Sequence, residues 1–184
     1  VPASLSITAK LITITADAVT KVYGESDPEL TYQITSGSLV SGDVLNGSLS
    51  RVEGEDVGDY AIASTLSNAN YEITFVPASL SITAKLITIT ADAVTKVYGE
   101  VDPALTYQIT TGSLEAGDTL TGVLSRTTGE DVGSYAIASS LSNINYKITF
   151  VPADVTITKA AITITADAKS KVYGEVDPAL TYQI

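Results

Sequence analysis

An all-β fold, laid out as a tandem array of small β-sandwich domains that form an extended rod, is what this sequence predicts, and three observations predict it. The string KVYGE recurs at Lys21, Lys96 and Lys171, and VPA at Val1, Val76 and Val151, each landmark 75 residues after the last with no insertion. Within each copy, apolar residues alternate with Thr, Ser and other polar residues at a period of two, as half-buried strands require, and helical spacing is missing. Between these stretches lie short clusters of Gly, Pro, Ser, Asn and Asp, the residues that make turns.

The strands follow in order through the first full copy. Ile12, Ile14 and Ala16 share one face, then Leu30, Tyr32 and Ile34, then Leu45 and Leu49. Tyr60, Ile62 and Leu66 come next, followed by Tyr71, Ile73 and Phe75, and by Leu80 and Ile82. Six strands per copy result, with Lys21 to Gly24 as a candidate seventh. The turns fall at Gly24–Pro28, Ser36–Ser38, Ser41–Asp43, Gly54–Gly58 and Ser67–Asn70. Residues 11–85 and 86–160 agree at 56 of 75 positions. Their differences support the facing: Val44/Thr119, Asn46/Thr121 and Ser48/Val123 vary on one parity, while Leu45/Leu120 and Leu49/Leu124 do not. The varying face is expected in solvent.

Two slips of parity mark structural events. At Val76-Pro77 the apolar positions change from Tyr71, Ile73 and Phe75 to Leu80, Ile82 and Ala84. Proline cannot donate to a ladder, so a bulge or a strand changing sheets is expected there. At Lys85-Leu86 the second set gives way to Ile87, Ile89 and Ala91, which places the boundary between copies. The organisation expected is residues 1–10 as the last strand of a preceding copy, 11–85 and 86–160 as complete copies, and 161–184 as the start of a following one. No Gly- or Pro-rich linker separates them, so one copy's last strand should run straight into the next copy's first. A stiff rod follows, gaining about 40 Å per copy if a strand of roughly a dozen residues sets its length.

Composition narrows the chemistry. The chain contains no Cys, His, Met or Trp, which removes disulfides, thiolate and imidazole metal ligands and every triad that needs histidine. Ten basic against 21 acidic residues give a formal charge of −11, which argues against nucleic acid and anionic membrane surfaces as partners. No apolar run approaches a membrane span and no signal peptide opens the sequence, so any export signal is expected outside it.

Each candidate site in the sequence also admits a purely structural role. Asp56-Val57-Gly58-Asp59-Tyr60, repeated as Asp131-Val132-Gly133-Ser134-Tyr135, has the form of a tyrosine corner. It favours an immunoglobulin-like Greek key, with Tyr60–Leu66 and Tyr71 onward as the last hairpin; a β-grasp-like arrangement is the alternative. Glu25, Asp27 and Glu29, and Glu53, Glu55, Asp56 and Asp59, invite a calcium reading, but neither group has the spacing of a known calcium loop. The second copy also replaces Glu29 by Ala104, Glu53 by Thr128 and Asp59 by Ser134, so solvated turn charges are preferred. Paired carboxylates could serve glycoside hydrolysis, yet nothing predicts a cleft. Tyr32, Tyr60 and Tyr71 and their partners Tyr107, Tyr135 and Tyr146 lie on the inward parity and are expected to pack in the core rather than stack on sugars. Asn46-Gly47-Ser48 fits the N-glycosylation sequon, but Thr121 replaces the Asn in the next copy. No catalytic, cofactor-binding or metal-binding residue is assigned, and no cofactor is expected.

The string Lys-Val-Tyr-Gly-Glu-x-Asp-Pro-x-Leu-Thr-Tyr beginning at Lys21, Lys96 and Lys171, with Gly-Glu-Asp-Val-Gly-x-Tyr-Ala-Ile and Asn-Tyr-x-Ile-Thr-Phe-Val-Pro-Ala, resembles the MBG domain of the YGX type along the whole chain. The resemblance implies tandem arrays in large bacterial surface proteins and adhesins, often in Bacteroidetes with export by the type 9 secretion system. It brings no catalytic or cofactor-binding residues, and it suits structural roles for Gly24 and Pro28 in a turn, Tyr60 in the corner and Pro77 at the bulge. Asp118-Thr119-Leu120 resembles the short acceptor for O-linked sugars in Bacteroidetes exported proteins. The function expected is a stalk or spacer of a filamentous, extracellular cell-surface adhesin that holds a distal binding domain away from the cell. Its partners would be adjacent repeats of the same chain. The alternative is that the repeats themselves bind glycans or neighbouring filament chains, with avidity from copy number.

Overall fold

The computed structural model describes residues 3–184, and every described regular element is a β-strand. The first copy holds seven: β1 (Lys10–Ala16), β2 (Val19–Val22), β3 (Tyr32–Ser36), β4 (Leu49–Arg51), β5 (Gly58–Ser64), β6 (Tyr71–Val76) and β7 (Ser79–Thr83). The second repeats them as β8 (Lys85–Ala91), β9 (Val94–Val97), β10 (Tyr107–Thr111), β11 (Leu124–Arg126), β12 (Gly133–Ser139), β13 (Tyr146–Val151) and β14 (Asp154–Thr158). Two short strands follow, β15 (Thr165–Ala166) and β16 (Tyr182–Gln183). The candidate seventh strand exists as β2, but it runs over Val19–Val22, and Tyr23 and Gly24 of the expected Lys21–Gly24 fall in a turn.

Each full copy contains two mixed sheets. In the first, the orders are β3-β1-β6 and β2-β7-β5-β4, and the second copy has the same orders as β10-β8-β13 and β11-β12-β14-β9. β1 lies parallel to β6, from Lys10↔Tyr71 to Thr15↔Val76, and β2 parallel to β7, from Val19↔Leu80 to Val22↔Thr83. The remaining partners are antiparallel, with a register shift at Thr13/Ile14 where β3 meets β1.

Pro77 is where the chain changes sheets. β6 ends at Val76 and β7 begins at Ser79, in the other sheet. This corrects the expected last hairpin: β5 pairs with β7 (Gly58↔Ile82, Ala61↔Ser79), whereas β6 pairs with β1. The reason is the parity slip, which turns Leu80 and Ile82 inward on the second sheet after Tyr71 has been buried on the first. A matching slip at Asp17-Ala18, unread in the sequence, separates β1 from β2, so both long strands cross between sheets at the same level. The Asp17 amide donates to Thr31 O at 2.9 Å and its carboxylate accepts from Thr31 Oγ1 at 2.7 Å, which satisfies the break.

The first sheet's core is Ile12, Ile14 and Tyr71, with Tyr32, Ile34, Leu39, Leu45, Leu66, Ile73 and Phe75 packed on it. Leu45 contributes without belonging to a strand, since β4 begins only at Leu49 and Asn46 makes a lone bridge to Ser67. The varying positions Val44, Asn46 and Ser48 are exposed, as are Thr119, Thr121 and Val123, so the facing read from the sequence holds. Val1 and Pro2 of the expected strand over residues 1–10 lie outside the described residues, and the described part, residues 3–9, forms no strand. Leu5 and Ile7 are 89% exposed there.

Two compact units partition the chain, and they are offset from the sequence repeats. One runs to Ile89 and adds Ile109–Gly122 and Ser140–Phe150; the other takes Thr90–Gln108, Val123–Ser139 and Val151–Ile184. The first unit therefore contains all of copy one together with three separate segments of copy two, 86–89, 109–122 and 140–150.

Candidate functional site

Two constellations of polar side chains stand out, and the first is a charged clasp inside each copy. β2 places Lys21 on its inward face, where the side chain is only 3% exposed. Its Nζ lies 2.7 Å from Asp27 Oδ1 and 2.5 Å from Glu55 Oε2, and donates to Glu25 O at 3.0 Å. Arg51, closing β4, grips Asp27 with both Nε (2.5 Å) and Nη2 (3.1 Å), pairs with Glu55, and donates to Gly54 O at 2.5 Å. Its guanidinium also lies 5.2 Å from the centroid of the Tyr60 ring. The second copy repeats the set: Lys96 on Asp102 (2.6 Å) and Glu130 (2.5 Å), Arg126 on Asp102 (2.7 Å) and Glu130 (2.5 Å), and Arg126 over Tyr135.

Charge complementarity sets the protonation states. Hydrogen bonds from Arg51, then Lys21, hold the Asp27 carboxyl down at about 2, and those from Arg126, then Lys96, do the same for Asp102. Glu55 is lowered chiefly by Lys21 and then Arg51. Burial pulls Lys21 down, but its bonds to Asp27 and Glu55 outweigh that and raise it. General acid catalysis by these carboxyls would need a raised value, and amide condensation between Lys21 and Asp27 would need a neutral amine and a protonated acid; the shifts run the other way. The clasp is fitted to hold segments together. It also commits the acids that invited a calcium reading: Asp27 and Glu55 face cations already in the chain, and Glu25 accepts from the Val22 amide at 2.9 Å. Among the described residues no group of three or more carboxylates converges on a metal-sized site.

Beside the clasp, the Tyr60 hydroxyl donates to Asp56 O at 2.7 Å and Tyr135 to Asp131 O at 2.8 Å, the corner contact its sequence form implied. Gly54 makes this possible. Its φ is +146°, and a Cβ there would lie 2.2 Å from Tyr60 Cε1.

The second constellation joins copy one to copy two, wholly within the first compact unit. A single residue, Ala84, separates β7 from β8. Tyr23, in the KVYGE turn, meets Tyr146 edge-on with ring centroids 5.5 Å apart, and both hydroxyls donate to Asp118 Oδ2, at 2.9 and 2.6 Å. Asn145, 6% exposed, accepts from the Val57 amide at 2.9 Å and donates to Asp56 Oδ1 at 2.8 Å, while its carbonyl accepts from Lys85 N at 3.0 Å. Lys85 pairs with Glu115, which packs against Gly24. Burial, reinforced by Asp118, pushes the Tyr146 phenol up to about 12, and the bond to Asp118 followed by burial raises Tyr23.

Position by position, the copies explain one another. Tyr71 matches Tyr146 and keeps its local bonds, donating to Asp43 at 2.6 Å and accepting from Val40 N at 2.7 Å. Asn70, the match of Asn145, is exposed. Tyr23 is half-buried, Tyr98 is 53% exposed and Tyr173 fully so. The family model described as the MBG domain (YGX type) matches residues 12–81, 87–156 and 162–184. The chain belongs to this family. Its three matches follow the 75-residue period, the third carried only to Ile184. No curated protein matches the chain. Within these MBG repeats, sequence reading identified Tyr60, Gly24 and Pro77 as structural and missed Lys21, Arg51, Tyr23 and Asn145. The signal for Lys21 was present: a lysine at an inward position of a strand, identical in all three copies.

Proposed function

We infer that these MBG repeats are a structural stalk or spacer segment of a filamentous bacterial cell-surface adhesin, extracellular, projecting a distal binding domain and carrying no catalytic role or cofactor. The observation that carries this reading is the junction. Ala84 alone separates strands of successive copies, and Tyr23, Asp56 and Val57 of one copy are tied to Asp118, Asn145 and Tyr146 of the next. Flexible joints are made of Gly and Ser, not of hydrogen-bonded strand ends. The net charge of −11 suits crowded display on a surface and opposes association with nucleic acid. The partners of each repeat are its neighbours in the chain.

The test uses cells that display the repeats ahead of a known adhesive domain. Deleting whole copies should reduce adhesion, and an unrelated rigid spacer of equal length should restore it. Failure of that spacer to restore adhesion would instead favour repeats that bind glycans or neighbouring filaments themselves, which saturable binding of the two-copy chain to a glycan array would establish.

A further inference from the structure

The order of the strands gives each repeat a second property. Tension on a tandem array enters a copy at the start of its first strand and leaves at the end of its last. In copy one those points are Lys10, opening β1, and Thr83, closing β7. The load enters the segment formed by β1 and β2 and leaves from the segment formed by β6 and β7, and these two segments run parallel as hydrogen-bonded neighbours: β1 with β6 over six residue pairs, and β2 with β7 over four. Pulling Lys10 backward and Thr83 forward therefore slides one strand pair along the other. The ladder bonds run across the strands, so all of them resist together instead of opening in sequence.

Three further contacts oppose the same motion. The clasp ties Lys21 on β2 to Glu55, beyond β4, and to Asp27, which Arg51 on β4 also holds. Thr83 Oγ1 donates to Lys21 O across the β2–β7 ladder at 3.1 Å. Tyr23 N donates to Thr83 O at 2.9 Å, at the point where load would leave the copy. Ile12 and Ile14 on β1 and Leu80 and Ile82 on β7 are all at most 2% exposed, so sliding also disrupts the best-packed residues.

We propose that each repeat is a force-bearing shear clamp, built to stay folded when the chain is stretched end to end. The proposal deepens the stalk reading and rests on it for its biological setting, but its physical content concerns one copy and is tested separately. The chain has no cysteine, so handles can be attached at introduced ones. In the full chain, Lys10→Cys with Ala84→Cys loads copy one along its natural direction. Lys10→Cys with Ser38→Cys keeps the first handle and moves the second beyond the end of β3, next to Lys10, whose Nζ reaches Ser38 Oγ at 3.3 Å. This second geometry peels β3 from β1 rung by rung.

Single-molecule pulling at one speed should give a rupture force several-fold higher in the first geometry than in the second, because forced unfolding is governed by the barrier along the pulled direction. Equal forces, or a weaker first geometry, would overturn the clamp. That result would leave the spacer reading standing, since a spacer can be long without being strong; the spacer reading fails instead on the restoration of adhesion by an unrelated rod.

Discussion

A lysine buried on the inward face of a strand is tolerable only because two carboxylates and a carbonyl meet its ammonium. The asymmetry of such sites makes a definite prediction. Replacing both acids, Asp27→Asn with Glu55→Gln, strands the cations and should cost about 3 kcal/mol or more, whereas Lys21→Met, which substitutes an apolar stem of similar length, should cost under about 1 kcal/mol. Chemical denaturation of the three proteins at neutral pH checks this. Acid acts on the same group. Asp27 and Asp102 are held at about 2, below the ordinary carboxylate value, and Glu55 and Glu130 are lowered too. The unfolded chain binds protons first as pH falls, so their contribution is complete above about pH 4.5 and is lost progressively toward about pH 2. Melting temperature should therefore fall across that window, and fall less in Lys21→Met; a melting temperature unchanged between pH 5 and pH 2 would contradict the clasp. At the corner, Gly54→Ala should destabilise far more than Tyr60→Phe. The first forces a Cβ into the Tyr60 ring at a φ of +146°, while the second removes one hydrogen bond worth about 1 kcal/mol.

For the elements, the third copy supplies an internal comparison. Ile14 and Ile89 are 0% exposed, and Ile164, at the same place in the repeat, is 61% exposed. Local sequence is nearly the same, so burial is conferred by the strands packed alongside and not by the residues of the strand itself. Ile14→Ala should cost about 2–5 kcal/mol and Ile164→Ala under about 0.5 kcal/mol, as read from thermal unfolding. The same contrast explains what was legible in the sequence. Alternation revealed the faces of β1, β5, β6 and β7, and the parity slip at Pro77 marked either a bulge or a change of sheet, because these are local signals; which of the two it is emerged only from the strand pairing. Which strand pairs with which was not legible: the parity of Ile62 and of Leu80 shows that each faces inward, not that β5 and β7 are neighbours. The break at Asp17-Ala18 went unread because no proline marks it; hydrogen bonds to Thr31 that are remote in sequence hold it. Lys21 and Arg51 were invisible as a pair for the same reason, since their common partner Asp27 lies 24 residues from Arg51 in the chain.

Across the whole molecule, the compact units do not coincide with the repeats, because the junction packs one copy's KVYGE turn against the next copy's Asn145-Tyr146. Asn145→Ala leaves the Val57 amide without its partner and should lower stability by about 1–3 kcal/mol, while Asn70→Ala, at the exposed match, should change it by under about 0.5 kcal/mol. Alkali should act here as well. The folded junction keeps Tyr23 and Tyr146 protonated, so its contribution is full below the ordinary tyrosine value near 10 and fades as pH rises toward about 12. A titration of tyrosinate absorbance should show late-ionising phenols that ionise earlier in Asp118→Asn. The spacer reading depends on these joints being stiff, and small-angle X-ray scattering from arrays of two, four and eight copies measures that most directly. Maximum dimension should grow in proportion to copy number, by about 40 Å per copy; growth with the square root of copy number, the mark of freely jointed beads, would contradict it.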